Sequence, residues 1–308
     1  MRSVLIVCTR NRPQDVRRLF TSVAQGNNRS GIVVVDSSDD DSTATVTRSF
    51  TRMRPRYERS TPGLTRQRMA GVAALDPEVE IVHFVDDDVV LEPGYLAAIE
   101  AVFDARPEVL GVGGRITNLP EHNPHLLRRI FLLDCAHGGV VLRSGVNILA
   151  FGVPDGGRVQ WLSGCSMSFR RRVFHDVVFD TSLEGSCLGE DVDFTFRLGH
   201  RGPLCIAGHA RLAHMSSEVN RENGRDAARR QVVRRYRWVR EMRGKGVGVL
   251  AFWWSVAGDI LLSSAKGALQ LRRAPLRRSL AIIRAIGDIA RTGRDRSNAS
   301  RGDRGSDG

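Results

Sequence analysis

Short apolar runs in the first two hundred residues break off into polar clusters, and stretches with helical spacing lie between them. Ser3 to Cys8 runs into Thr9 to Arg12, Ile32 to Val35 into Asp36 to Asp41, and Ile81 to Val85 into Asp86 to Asp88. Pro13 opens an amphipathic stretch carrying Val16, Leu19, Phe20 and Val23, Thr65 to Leu75 reads as a helix, and Glu92-Pro93 starts another through Phe103. Val109 to Val112 and the stretch from Trp161 to Arg170 return to strand character, Asp191 to Gly202 to helix, and Leu204 to Ala207 to strand. This alternation predicts a doubly wound, mainly parallel sheet with helices on both faces. Ligands in such sheets bind beyond the carboxyl ends of the strands, so the polar clusters just after the strands are the informative residues. Leu119 to Gly157 lacks a clear period and reads as a loop-rich insertion shaping a cleft.

The 308 residues suffice for two domains or one large domain with an appendage. The net charge of +12 first suggests nucleic acid or an anionic membrane as partner. Its distribution is uneven, with 25 Lys+Arg against 26 Asp+Glu in residues 1–220 and 21 against 8 in residues 221–308. The five cysteines form no CxxC pair, which argues against a zinc site or a disulfide framework and for a reducing compartment. The start, MRSVLIVCTRNRP, reads as a first strand and not as a signal peptide, which makes the cytosolic side the expected location.

Three polar groups are candidates for chemistry. In FVDDD, three like charges at one strand end are either a solvated acidic turn or a cation site, and strand alternation sends Asp86 and Asp88 to one side and Asp87 to the other. In GEDVD, Asp191 with Glu190 beside it is either ordinary capping of a helix start or a general base near a bound sugar. His214 is either structural or a further metal ligand. The glycines at 111, 113 and 114 do not form a GxGxxG fingerprint, and Gly185-Ser186-Cys187-Leu188-Gly189 resembles a nucleophile elbow without the strand that should precede it.

The order of VCTRNR, VVVDSS, GLTRQRMAG, FVDDD, WLSGCSMSFRR, GEDVDFTFR and His214 resembles the family 2 glycosyltransferases of the GT-A fold over residues 3 to 215. The resemblance implies a Rossmann-like sheet and an inverting transfer from a nucleotide-diphosphate sugar, assisted by Mg²⁺ or Mn²⁺. It implies donor binding by Thr9, Arg12, Asp36, Arg68, Asp86 and Asp87, with Asp36 on the base and Asp86 on the ribose. It further implies metal binding by Asp88 and His214 with Asp86, and catalysis by Asp191 with Glu190. The resemblance also implies that the strand beginning at Trp161 passes beneath the donor sugar and acceptor, where Trp161 would either stack on a sugar ring or serve as a core residue. Two positions depart from the family pattern: Gln67-Arg68-Met69 keeps the Arg of an Ala-Arg-Asn motif and loses its Asn, and Arg10 stands where Tyr is common.

The basic end reads as an extension at 221–291 followed by a disordered tail at 292–308. Residues 221–245 carry ten Lys+Arg against three acids. From residue 246 to 258 the chain is uncharged, but it is too short to span a bilayer before Asp259. On a helix, Ser255, Asp259, Ser263, Lys266 and Gln270 form a polar stripe beside a wide apolar face, the pattern of a helix lying in a membrane interface, and Leu276 to Arg291 repeats it. An ordinary helical subdomain is the other reading. The expected organisation is therefore a catalytic domain at 1–220 with a membrane-seeking extension, peripheral on the inner face of the cell membrane. It would act on a glycan or lipid-linked acceptor in cell-envelope synthesis, with no nucleic acid expected. The rival functions are a nucleotidyltransferase acting on a sugar phosphate and a nucleic-acid-binding protein using the basic region.

Overall fold

The computed structural model describes residues 2–26, 29–182, 189–215, 224–271 and 273–302. It divides into two compact units, one formed by residues 1–122, 137–140 and 147–221, the other by 123–136, 141–146 and 222–308. Part of the irregular insertion thus belongs to the second unit.

The first unit is built on β1 (Ser3–Thr9), β2 (Gly31–Asp36), β3 (Arg56–Arg59), β4 (Ile81–Asp86), β5 (Val89–Leu91), β6 (Gly111–Ile116), β7 (Arg158–Val159), β8 (Ser166–Arg170) and β9 (Leu204–His214). They form one mixed sheet in the order β3-β2-β1-β4-β8-β6-β9-β5, with β7 paired to β9. The four strands from β3 to β4 run parallel, β8 enters antiparallel to both β4 and β6, and β6 and β9 are again parallel. The helices of this unit are α1 (Pro13–Gln25), α2 (Ser42–Ser49), α3 (Leu64–Ala73), α4 (Tyr95–Ala105) and, later in the chain, α6 (Glu190–Gly199).

Side-chain alternation divides the core between the two faces of the sheet. Leu5, Val7, Ile32, Val34 and Val85 pack with Val16, Leu19 and Phe20 of α1 and Ile99 and Phe103 of α4. Val4, Ile6, Val33, Val35 and Phe84 pack on the other face with Phe169, Phe174, Phe179 and Phe194. A Cβ on Gly71 of α3 would stand 2.6 Å from Cγ2 of Ile6, so this glycine sets how closely α3 approaches the sheet. The β6 glycines serve packing too, since a Cβ on Gly111 would stand 2.8 Å from Leu204. The strand expected from Trp161 begins only at Ser166, and the stretch before it is irregular.

The second unit contains α5 (Leu126–Ile130), α7 (Gly224–Glu241), α8 (Val249–Leu269) and α9 (Arg273–Gly302). Both α7 and α8 pack on α9. Arg229 of α7 forms a two-pronged ion pair with Asp288 of α9. Of the polar stripe of α8, the first three residues turn inward and Lys266 and Gln270 stay exposed. Ser255, Asp259 and Ser263 are buried, and Arg278 of α9 donates to both Asp259 oxygens, at 3.1 and 2.6 Å. No helix among the described residues is long and apolar enough to cross a membrane. Most of the stretch read as a tail is helical in α9, whereas residues 303–308 and the cysteine-centred loop at 183–188 lie outside the described residues.

Candidate active site

The carboxyl end of β4 lies at the centre of the sheet, between β1 and β8, and delivers the three aspartates there. Alternation separates them as the sequence predicts. Asp87 turns into the protein, where Arg12 donates to its Oδ1 at 2.9 Å, and burial pushes its carboxyl up to about 7 against the pull of that arginine. Asp86 and Asp88 share the opposite side with His214, and one ligand atom from each lies within 4.8 Å of the others. Nε2 of His214 stands 3.1 Å from Oδ1 of Asp88. Burial raises the Asp86 carboxyl, and the neighbouring Asp88 charge adds to the rise that Arg68 opposes.

The histidine arrives from far along the chain at the end of β9. Antiparallel pairing sets Val89 opposite His214, and the amide of Met215 donates to the Asp88 carbonyl at 2.8 Å. Asn118 clamps the same point, accepting from the His214 amide and donating to its carbonyl, both at 2.9 Å. Two hard carboxylates and an imidazole within one small volume are a donor set suited to Mg²⁺ or Mn²⁺. The repulsion between Asp86 and Asp88 is the charge that such an ion would offset.

A second cluster lies behind Asp86. Arg68 is 2 % exposed; its guanidinium pairs with Glu190, stands 3.6 Å from Asp86 and donates to the Gly164 carbonyl at 3.3 Å. Phe84 and Phe179 cover it at 5.9 and 5.3 Å. Burial raises the Glu190 carboxyl above the usual carboxylate range, and the Arg68 charge resists that rise. Glu190 thus lies buried against Arg68. Its neighbour Asp191 is half-buried in the first turn of α6, which follows Gly189 in the left-handed region at φ 81°. The Gly164 amide donates to Oδ2 of Asp191 at 2.9 Å, and the Val192 amide to Oδ1 at 2.8 Å. Each oxygen keeps a lone pair for a further proton.

Asp36 and Thr9, expected to contact the donor, are engaged within the protein. Asp36 is fully buried and spends its oxygens on the Ser38 amide and hydroxyl, at 2.8 and 2.5 Å, and on the Tyr57 hydroxyl, at 2.8 Å. Thr9 is buried as well, and its carbonyl receives the Ser37 amide and the Gln67 side chain. Gln67, read only as a departure from a motif, joins the ends of β1 and β2 by donating to Thr9 and Val35 at 2.9 and 2.8 Å. The groups nearer solvent at these strand ends are Asn11, held at φ 56° with its amide paired to Asp39, and Arg59, which donates to the Ser38 carbonyl. Trp161 is 4 % exposed and its indole N–H is satisfied by the Ile148 carbonyl at 2.9 Å, as a core tryptophan's would be. It also forms a wall of a cavity of about 310 Å³, together with Gly114, Arg115, Thr117, Ser163 and Arg211.

A family model described as Glycosyl transferase family 2 matches residues 4–178. No curated protein matches the chain. Among solved structures, the chain is similar to the mannosyltransferase PcManGT from Pyrobaculum calidifontis in complex with GDP-Man and Mn²⁺, at 15% identity and a TM-score of 0.59, with 94% of this chain and 87% of that one covered. It is similar also to S. aureus TarS 1-349 in complex with UDP-GlcNAc, at 16% identity and a TM-score of 0.57, covering 94% and 80% of the two chains. Against the longer TarS chain the identity is 15% and the TM-score 0.54, and 86% of this chain spans 42% of that one.

Proposed function

The chain belongs to glycosyl transferase family 2, with the GT-A fold, and from that premise we propose that it moves a sugar from a nucleotide-diphosphate donor to a hydroxyl of a glycan or lipid-linked acceptor, with inversion. The observation that carries this reading is the convergence of Asp86, Asp88 and His214 beside a half-open Asp191. Complexes of its structural neighbours with GDP-Man and Mn²⁺, and with UDP-GlcNAc, support the donor class and the ion.

Asp86, Asp88 and His214 would hold Mg²⁺ or Mn²⁺, whose positive charge would stabilise the departing diphosphate. Arg12 and Asp87 fix the loop after β1 against the end of β4, so the ligand carboxylates are held before any donor arrives. Asp191 takes the proton of the acceptor hydroxyl as its oxygen bonds to the anomeric carbon. The bond from that carbon to the phosphate oxygen breaks and its electron pair leaves with the nucleoside diphosphate. One displacement inverts the centre. Arg68 and Glu190 position Asp86 and Gly164 from beneath, and Thr9 and Asp36 shape the donor pocket through the main chain. The cavity walled by Trp161 suits the acceptor. The sheet unit forms the catalytic part, and the basic helical unit keeps it peripheral on the inner face of the membrane, where lipid-linked acceptors of the cell envelope are met.

Asp191→Asn should bind nucleotide and metal as before and lose at least ~100-fold in turnover, the low end for a general base. Undiminished turnover rejects the assignment. Thermal shift with a panel of nucleotide sugars and Mn²⁺ identifies the donor, and pyrophosphate released from a nucleoside triphosphate would instead mark a nucleotidyltransferase.

A further inference from the structure

Helix α8 buries polar residues beside Phe252 and Val256 and leaves a row of large apolar residues outward. Its buried side carries Asp259, which accepts from Ser263 and from Arg278 of α9, together with Ser255, which accepts from Arg235 at 3.2 Å. Its outward side carries Leu250 at 88 %, Trp254 at 49 %, Leu261 at 57 % and Leu269 at 86 % exposure, with Ala257 and Ala265 between them. These positions advance by three or four residues and form a continuous apolar stripe, whereas a helix facing water shows the reverse pattern. The inward salt bridge fixes the rotation of the helix, so the stripe cannot turn away. Exposed apolar surface of this extent, rimmed by charge, marks an interaction surface.

Two neighbours in the same unit extend it. The Trp254 indole donates to the Ile130 carbonyl at 2.8 Å, and its ring meets Phe131 at 5.1 Å. This holds α5 beside the stripe with Leu126, Leu127 and Ile130 exposed. On α9, Leu276, Leu280 and Ile283 are exposed next to Arg273, Arg277 and Arg284, and α5 adds the exposed Arg128 and Arg129. Through Arg291, the acids of α5, α8 and α9 are Asp259 and Asp288, and each is ion-paired, to Arg278 and Arg229. The surface therefore offers apolar side chains beside arginines.

We propose that the outward faces of α8, α5 and α9 together dock on an anionic bilayer, with the leucines and Trp254 entering the interface and the arginines meeting headgroup phosphates. Charge complementarity decides the occupant. A second copy would bring the same arginines opposite one another in a two-fold contact, which like charges oppose, whereas lipid phosphates neutralise them. The inference deepens the membrane part of the reading above, rests on it, and assigns α5, taken from the sequence as a cleft loop, to the docking face.

The test uses the full chain with phosphatidylcholine vesicles made with and without phosphatidylglycerol. The wild type should sediment with the anionic vesicles and show tryptophan quenching by brominated lipid that Trp254→Phe removes. Leu250→Glu/Leu261→Glu should lower partitioning at least ~10-fold, as should Arg277→Glu/Arg284→Glu. Val178→Glu, at an exposed apolar residue of the first unit, should leave it unchanged, and circular dichroism checks the fold of each variant. Unchanged partitioning of both double variants overturns the proposal. So does a dimer that Leu250→Glu/Leu261→Glu dissociates while vesicles bind nothing. Nucleoside diphosphate release from a donor without vesicles is read in parallel. Docking without any donor turnover would sustain this surface and remove the catalytic reading, and turnover without docking would do the opposite.

Discussion

A guanidinium that is 2 % exposed must find its partners inside the protein, and Arg68 finds them in Glu190, Asp86 and the Gly164 carbonyl. Truncating it leaves the Glu190 carboxylate buried and alone. Arg68→Ala should cost ~3–5 kcal/mol in denaturant unfolding, the usual range for breaking a buried pair from one side, and adding Glu190→Gln should return part of that loss. Asp88→Ala tests the other cluster: in calorimetry of nucleoside diphosphate binding, the effect of Mn²⁺ should vanish. A third group gives a pH signature far from the site. Glu100 accepts from Ser3 at 2.6 Å and stands 3.4 Å from Nε2 of the fully buried His83, which contacts Ser168 through Nδ1 at 2.9 Å. Burial alone would raise the Glu100 carboxyl, but the nearby His83 and the Ser3 hydrogen bond outweigh it and lower it from 4.5 to about 2. A depressed carboxyl stabilises the fold above its unfolded value and loses that contribution as the pH falls from 4.5 toward 2. Acid unfolding of Glu100→Gln, followed by circular dichroism, should accordingly be shallower than wild type in that window.

At the scale of the element, close approach sets the margins. Gly71→Val places a branched side chain where Ile6 already stands, and overpacking of this kind should cost ~1–3 kcal/mol, read as a fall in thermal midpoint. The long strands and α1, α4 and α6 were legible because their apolar period is regular over several turns or pleats, whereas α3 turns Thr65, Gln67, Arg68 and Gly71 inward and has no such period. α2 was not, since STATVTRS is short and rich in β-branched residues, and its start is set by Asp40 accepting from the Ser42 amide at 2.9 Å. β3 and β5 are too short, at four and three residues, to display a period and exist through pairing with β2 and β9. Strand alternation correctly put Asp86 and Asp88 together. Residue type could not tell that Asp36 and Glu190 were already committed to Tyr57 and Arg68, because those partners lie 21 and 122 positions away in the chain. For α8 the period gave the stripe and could not give its direction, which Arg278 decides from the next helix.

For the molecule as a whole, the charge of +12 resolves into a nearly neutral sheet unit and a basic helical one. Docking that depends on arginines should weaken with salt, so vesicle partitioning should fall as ionic strength passes physiological values, where the Debye length is about 8 Å. Partitioning that ignores salt would mean that the leucine stripe acts alone. The sheet carries a further implication. Asp88 and His214 stand 126 positions apart and meet only when β5 pairs with β9. During synthesis, the first hundred residues emerge with β1, β2, β3 and β4 able to pair among themselves, and their three aspartates wait for a strand the ribosome has not yet made. Contacts of such separation form late and slowly. A chain stalled before residue 204 would carry a folded edge and an incomplete Asp86–Asp88–His214 cluster, which closes only once β9 has been made.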